Sequence, residues 1–422
     1  MLIDMKIKNF LSYNDTEVFS METGERLTKY NSTHTFFASK TRLLKSSILF
    51  GANASGKTNL FVALNRMKYM LLEPTKKIGD PLYYSPFKLA NPKDEEGTTF
   101  EVTFFKNRIY KYSISYNKEQ VLKEKLLYLK GNKEIIYFER TKNDFSILPK
   151  EYITLAKETR NNSLFLFNLQ NKNNQFATDV FKWFDSDLIF FDHDIPDEYL
   201  ENIEQNDTAK KALLSFLAFA DTNIIDIDIN DDVRELPPTV KKMMELLIEE
   251  AGTNKEVEDK ITTKKLYTVY DKYSESPKSI GKSRISLGAE SKGNQKLISI
   301  ALTLINNHGK NKVILIDEFD SALHLQLAKS LLKIFNTANN KNQFILSSHE
   351  LQLLDCELRK DQIWLVEKDY KGQSHLFSIF DFNDFKGSSR TDITFFRRYM
   401  KGQFGAIPTI DYEGMMRSLN CE

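Results

Sequence analysis

Eight consecutive residues, Gly51-Ala52-Asn53-Ala54-Ser55-Gly56-Lys57-Thr58, fit the pattern G-x-x-x-x-G-K-[ST] in full. The chemistry open to such a run is the holding of a nucleoside triphosphate. Its glycines permit backbone conformations that turn several N–H groups inward, and the start of the following helix adds partial positive charge. Lys57 is placed to reach the outer phosphates, and the Thr58 hydroxyl to ligate Mg²⁺. A second run, Val313-Ile314-Leu315-Ile316-Asp317-Glu318, reads as an apolar strand that ends in two carboxylates. Asp317 can hold a Mg²⁺-bound water while Glu318 polarises the attacking water, so adjacent acids serve different roles. A glycine turn or two acids at the start of a helix would be ordinary singly. Together the two runs indicate nucleotide hydrolysis.

Both runs need particular elements to position them. Ser46 to Phe50 reads as a buried strand before the glycine loop, and from Lys57 onward Leu60, Ala63, Leu64, Met67 and Leu71 fall at helical spacing. Val313 to Ile316, Phe344 to Leu346 and Ile363 to Val366 are further apolar strands, and their alternation with helical stretches predicts a mainly parallel sheet covered on both faces. The opening residues Leu2 to Phe10 alternate apolar and polar side chains, Glu17 to Met21 reads as a second short strand, and Thr98 to Tyr137 has the Phe, Tyr, Ile and Val content of an antiparallel meander. Three segments are expected: a lobe over 1–160 with the phosphate loop and meander, an inserted helical arm over 161–282, and a second lobe over 283–422. Within the arm, Thr208 to Ala220 and Val240 to Ala251 read as helices, without the sustained heptads of a long coiled coil.

Composition bounds the partners. The 59 Lys plus Arg against 58 Asp plus Glu give a formal charge of +1, so no global basic surface announces nucleic acid or an anionic membrane. Apolar runs fall short of the roughly 18 residues of a membrane span, which leaves no membrane role, and no signal-peptide core opens the chain. Cys356 and Cys421 are the two cysteines, too few for a disulfide framework, and a cytoplasmic location is the expectation.

Further stretches carry a resemblance to the ABC/SMC-like AAA family ATPases, and within them to the RloA-like and AbiLi-type proteins of bacterial anti-phage and abortive-infection operons. Asn9-Phe10-Leu11-Ser12-Tyr13 is similar to the N-terminal strand of SMC and RecF ATPases, and Asn59 to the residue trailing their phosphate loop. Glu290-Ser291-Lys292-Gly293-Asn294-Gln295 resembles a degenerate ABC signature, Ser321-Ala322-Leu323-His324 a D-loop, and Ser347-Ser348-His349 the histidine switch. The ending Tyr399 to Pro408 resembles that of the RloA-like group. The resemblance implies ATP and Mg²⁺ as cofactors, a γ-phosphate contact from His349, and water ordered by Ser347 and Ser348. It also implies a head-to-tail homodimer or higher oligomer in which Ser291 and Gly293 meet the partner's nucleotide. By itself, the Ser291 to Gly293 loop reads as a helix cap whose free N–H groups could bind an anion. No Q-loop residue stands out, and His324 replaces the acid common in transporters.

Three functional readings are open. In the first, ATP closes a dimer, hydrolysis opens it, and the state is passed to a separate effector, a nuclease or toxin from the same operon. The second is an ATPase-nuclease of the overcoming-lysogenization-defect kind. It is disfavoured because about 70 residues after His349 are too few for a typical further domain; acidic clusters Asp192-His193-Asp194 with Asp197 and Glu198, and Asp226-Ile227-Asp228, are its only candidate metal sites. The third is a RecF-like DNA-binding repair ATPase, for which the basic and aromatic segment Lys386 to Lys401 leaves nucleic acid open as a partner.

Overall fold

The computed structural model describes residues 1–91, 96–192, 194–243, 260–275, 277–382, 395–407 and 411–419. They form two compact units, one of residues 1–191, 309–321 and 325–422, the other of 192–308 and 322–324.

The first unit contains two large sheets. In chain order its strands are β1 (Leu2–Lys8), β2 (Glu17–Ser20), β3 (Thr35–Ala38), β4 (Thr41–Leu44), β5 (Ser46–Phe50), β6 (Thr98–Phe105), β7 (Ile109–Tyr116), β8 (Val121–Lys130), β9 (Lys133–Thr141), β10 (Asp144–Ile147) and β11 (Leu188–Phe190). The seven-stranded antiparallel sheet runs β10-β9-β8-β7-β6-β1-β2, so the expected meander joins the two N-terminal strands in one sheet. Its alternating side chains bury one row, including Phe100, Val102, Phe104, Tyr110 and Tyr112. With β15 (Val313–Ile316), β16 (Gln343–Ser347), β17 (Ile363–Lys368) and β18 (Ser374–Ser378), the other sheet runs β11-β15-β16-β5-β17-β18. Its first five strands are parallel and β18 closes the edge antiparallel. β5, β15 and β16 are buried along their whole length, as near-continuous apolar runs in parallel sheets must be. The helix Lys57–Leu72 buries Leu60, Phe61, Ala63, Leu64, Met67, Met70 and Leu71, and these share one core with residues of both sheets.

One buried charge pair ties the meander to the helical segment after it. Glu124 on β8 and Arg140 on β9 lie 2.6 Å apart at 0% and 1% side-chain exposure. Glu124 also accepts from the Tyr112 hydroxyl at 2.9 Å and from the N–H groups of Phe165 and Leu166, which open the helix Phe165–Gln170. The donors around Glu124 compensate its burial, whereas removing it leaves the buried Arg140 guanidinium without its counter-charge. Glu124→Ala is expected to destabilise this unit by about 3–5 kcal/mol, read as a lowered midpoint in chemical denaturation.

The second unit corrects the expected helical arm. Residues 161–191 belong to the first unit, where Leu164, Phe165, Leu169 and Trp183 enter its core and Trp183 stacks on Phe104 at 4.2 Å. Residues 192–308 are mixed. The helices Asp197–Gln205, Asp207–Phe219 and Lys292–Asn306 pack together, and the antiparallel sheet β12 (Asp226–Glu235), β13 (Lys260–Tyr273) and β14 (Ser279–Ser286) packs against them through β12 and β13, with Ile227 and Leu266 buried on one face. The two-residue period of Ile227, Ile229 and Val233 is the strand signal, diluted by the acids between them. Most of the expected helix Val240 to Ala251 lies outside the described residues.

Candidate functional site

The parallel register decides what meets what. β16 lies between β15 and β5, pairing Ile316 with Leu346 and Leu346 with Ile48. All three strands therefore end at one edge, and the turn after β15 and the loop after β5 emerge there on either side of β16.

The loop from Gly51 to Gly56 joins β5 to the helix Lys57–Leu72 as expected. Its two glycines are required by close approach: a Cβ at Gly51 would strike the Val366 carbonyl of β17, and one at Gly56 would strike Ser374 Oγ of β18. Gly56 also has φ 112°, and Ala54 sits in the left-handed region at φ 59°. Lys57 is buried, and its ammonium donates to the carbonyls of Gly51 at 2.9 Å and Ala52 at 3.0 Å. Burial pushes the Lys57 pKa down, against the pull of Asp317, Glu318 and Asp320, whose carboxylates lie close enough to favour the cation. Asn53, Ala54 and Thr58 are exposed on the open side of the loop.

The acidic pair sits in the turn beyond β15 rather than on the strand, and Glu318 takes a left-handed conformation at φ 45°. That turn, not strand alternation, separates the directions of Asp317 and Glu318. It is held by Ser347 at the end of β16: its hydroxyl donates to Asp317 Oδ1 and accepts from the Glu318 N–H at 2.7 Å. The Phe319 N–H adds a bond to the Ser347 carbonyl at 3.0 Å. Ser347 is thus engaged with the acids, and Ser348 Oγ accepts from the Glu350 N–H at 2.9 Å. Of the two hydroxyls expected to order water, that of Ser347 is taken up by the acidic turn. His349 is exposed just beyond β16, at the same sheet edge. Ser347→Ala is expected to lower Mg²⁺-dependent nucleotide hydrolysis about tenfold or more, because a bond to a charged group is lost, with little change in the thermal transition. A phosphate-release assay across a Mg²⁺ titration checks it.

The residues fit a nucleotide with Mg²⁺. Ser55 Oγ is buried with no hydrogen-bond partner, as is Asp320 Oδ1, so polar capacity remains at this edge. Lys57 together with the inward N–H groups would hold the phosphates, and Thr58 and Asp317 would hold the metal, whose contribution when bound is to neutralise phosphate charge. Asp320 drew no attention in the sequence; its position three residues past Asp317 was the available signal.

In the second unit Ser291 caps the helix Lys292–Asn306, its hydroxyl accepting from the Asn294 N–H at 3.2 Å. Gly293 lies where a Cβ would come within 2.8 Å of the Ala322 carbonyl, so the signature-like loop and the D-loop-like segment pack together. Glu290 receives the Tyr270 hydroxyl at 2.7 Å, the Asn294 amide at 2.9 Å and the Thr268 hydroxyl. Burial raises its pKa, but these bonds outweigh burial and hold it below the usual carboxylate range. Asp226 pairs with Lys210 of the helix Asp207–Phe219 at 2.9 Å, and Asp228 with Arg284 of β14 at 3.1 Å. Among the described residues no three His, Cys, Asp or Glu side chains converge as a metal site. His193 of the other acidic cluster, 386–394 of the basic segment, Pro408 of the C-terminal ending and Cys421 lie outside the described residues.

A strand, phosphate loop and helix, with an acidic turn beside them on a mainly parallel sheet, define a P-loop NTPase fold. A family model described as "AAA domain, putative AbiEii toxin, Type IV TA system" matches residues 46–355, well over half of the chain. The chain belongs to this AAA-domain family. Solved structures to which it is similar include the SMC head domain from Thermotoga maritima, at 12% identity over 89% of this chain and 98% of that one, TM-score 0.41. An SmcHead bound to the C-winged helix domain of ScpA matches at 12% identity over 89% and 97%, TM-score 0.40. Comparison with curated proteins finds no match. No helix among the described residues is long and apolar enough to cross a membrane.

Proposed function

We propose that this chain binds ATP with Mg²⁺ and hydrolyses it, and that the nucleotide acts as a switch on assembly. The observation that carries the reading is the single sheet edge at which Lys57 feels the charges of Asp317, Glu318 and Asp320. Lys57 and the loop N–H groups bind the phosphates, Thr58 and Asp317 hold the metal, Asn53 and Asn59 shape the loop, and Glu318 takes the proton of the attacking water. His349 contacts the γ-phosphate. Two copies associate head to tail, so that Ser291 and Gly293 of one close over the nucleotide of the other; the exposure of Ser291 supports this. The cycle controls a separate nuclease or toxin in a cytoplasmic bacterial anti-phage system of the RloA-like or AbiLi type, a role to which the toxin–antitoxin wording of the family description lends support.

The test is the solution mass of Glu318→Gln with and without Mg²⁺-ATP, alone and with the product of the adjacent gene. An ATP-dependent doubling, or capture of the neighbour, is the expected result. An unchanged mass in both mixtures, with ATP bound, would reject the switch.

A further inference from the structure

The phosphate loop is strapped from behind by a chain of side chains whose hydrogen-bond direction comes from proton inventory. Ser374 Oγ, on the antiparallel edge strand β18, contacts both the Ser55 carbonyl and, at 2.7 Å, Ser12 Oγ. A hydroxyl has one proton and a carbonyl can only accept, so the Ser374 proton goes to Ser55 and the bond between the serines must be donated by Ser12. Ser12 Oγ then accepts from the Asn59 amide nitrogen at 2.7 Å. The chain runs one way: Asn59 amide to Ser12 hydroxyl to Ser374 hydroxyl to Ser55 carbonyl. Ser12 and Ser374 are buried and further joined through the Ser374 N–H to the Ser12 carbonyl at 2.8 Å. Beside it the buried Tyr13 hydroxyl donates to the next carbonyl, that of Gly56, at 2.9 Å.

The consequence lies in peptide geometry. In a planar trans peptide the C=O and the following N–H point in opposite directions. Fixing the Ser55 carbonyl therefore aims the Gly56 N–H, and fixing the Gly56 carbonyl aims the Lys57 N–H, both away from the strap and toward the open side of the loop. We infer that Ser374, Ser12 and Tyr13 are positioning residues that set the direction of the anion-binding N–H groups before nucleotide arrives. The inference rests on the reading of this loop as an ATP site. It assigns the N-terminal Ser12-Tyr13 turn a task in nucleotide affinity, and it gives the same task to a residue more than 300 positions later in the chain.

Donors arranged in advance improve binding by removing the cost of ordering the loop, without touching the reacting atoms. Ser374→Ala leaves the Ser55 carbonyl without its donor, whereas Ser12→Ala leaves that last bond in place. Affinity for a fluorescent ATP analogue, kcat, KM and the thermal transition would be measured on the full chain for the parent, Ser374→Ala, Ser374→Cys and Ser12→Ala. The expected result is a Kd and KM raised about five- to tenfold in Ser374→Ala, less in Ser12→Ala and Ser374→Cys, with kcat at saturation within about twofold of the parent. Unchanged Kd in a folded Ser374→Ala, or a loss confined to kcat, would overturn the inference. If Ser374→Ala does not fold, an unchanged Kd in both Ser12→Ala and Ser374→Cys overturns it equally. A parent chain that binds no ATP would instead overturn the site reading, and the inference with it.

Discussion

Lys57→Ala loses nucleotide binding, with affinity for Mg²⁺-ATP lowered by about a hundredfold or more and hydrolysis falling to background. The Lys57 ammonium is held by the carbonyls of Gly51 and Ala52, and its charge is balanced by three nearby carboxylates. Without the lysine, the edge keeps Asp317, Glu318 and Asp320 and repels a polyphosphate. The same removal relieves a buried cation of its desolvation, so the fold is expected to survive. Isothermal titration with ATP and a thermal scan, run together, check both halves. Retained micromolar binding would show that the loop does not serve triphosphate.

Glu318→Gln separates binding from chemistry. The amide keeps the size of the side chain and the backbone bond from the Glu318 N–H to Ser347, but it cannot take a proton from water. Hydrolysis is expected to fall about 10²- to 10⁴-fold while ATP affinity stays within a few-fold of the parent. Single-turnover hydrolysis beside equilibrium binding reads the two separately. Loss of binding with rate, or a rate left intact, would remove Glu318 from its role as base. Asp320, with a buried oxygen lacking a partner at the same edge, would then be the acid to substitute next.

The elements of the candidate site were legible because they are written locally. Gly51 to Thr58 and Val313 to Glu318 are contiguous runs whose residue types admit few other uses, and the strands and helix that carry them announce themselves by apolar period. The elements around them were less legible for definite reasons. The three-stranded sheet between 226 and 286 hid behind charged residues at alternate positions, which pair with each other and with Lys210 instead of marking a solvated arm. Glu318 reaches its conformation through a turn whose φ no propensity predicts.

By itself the sequence determined the P-loop NTPase class, the parallel sheet and the places along the chain where the phosphate loop and the acids lie, since each depends on neighbours within a few residues. Only the tertiary structure decided that β16 runs between β15 and β5, so that Ser347 anchors Asp317 and Glu318. It alone brought Ser374 and Ser12 to the back of the loop. A single serine carries no periodicity or motif, and its role comes from strands paired across hundreds of residues of chain, where hydrogen-bond geometry is fixed by the sheet and not by the local sequence.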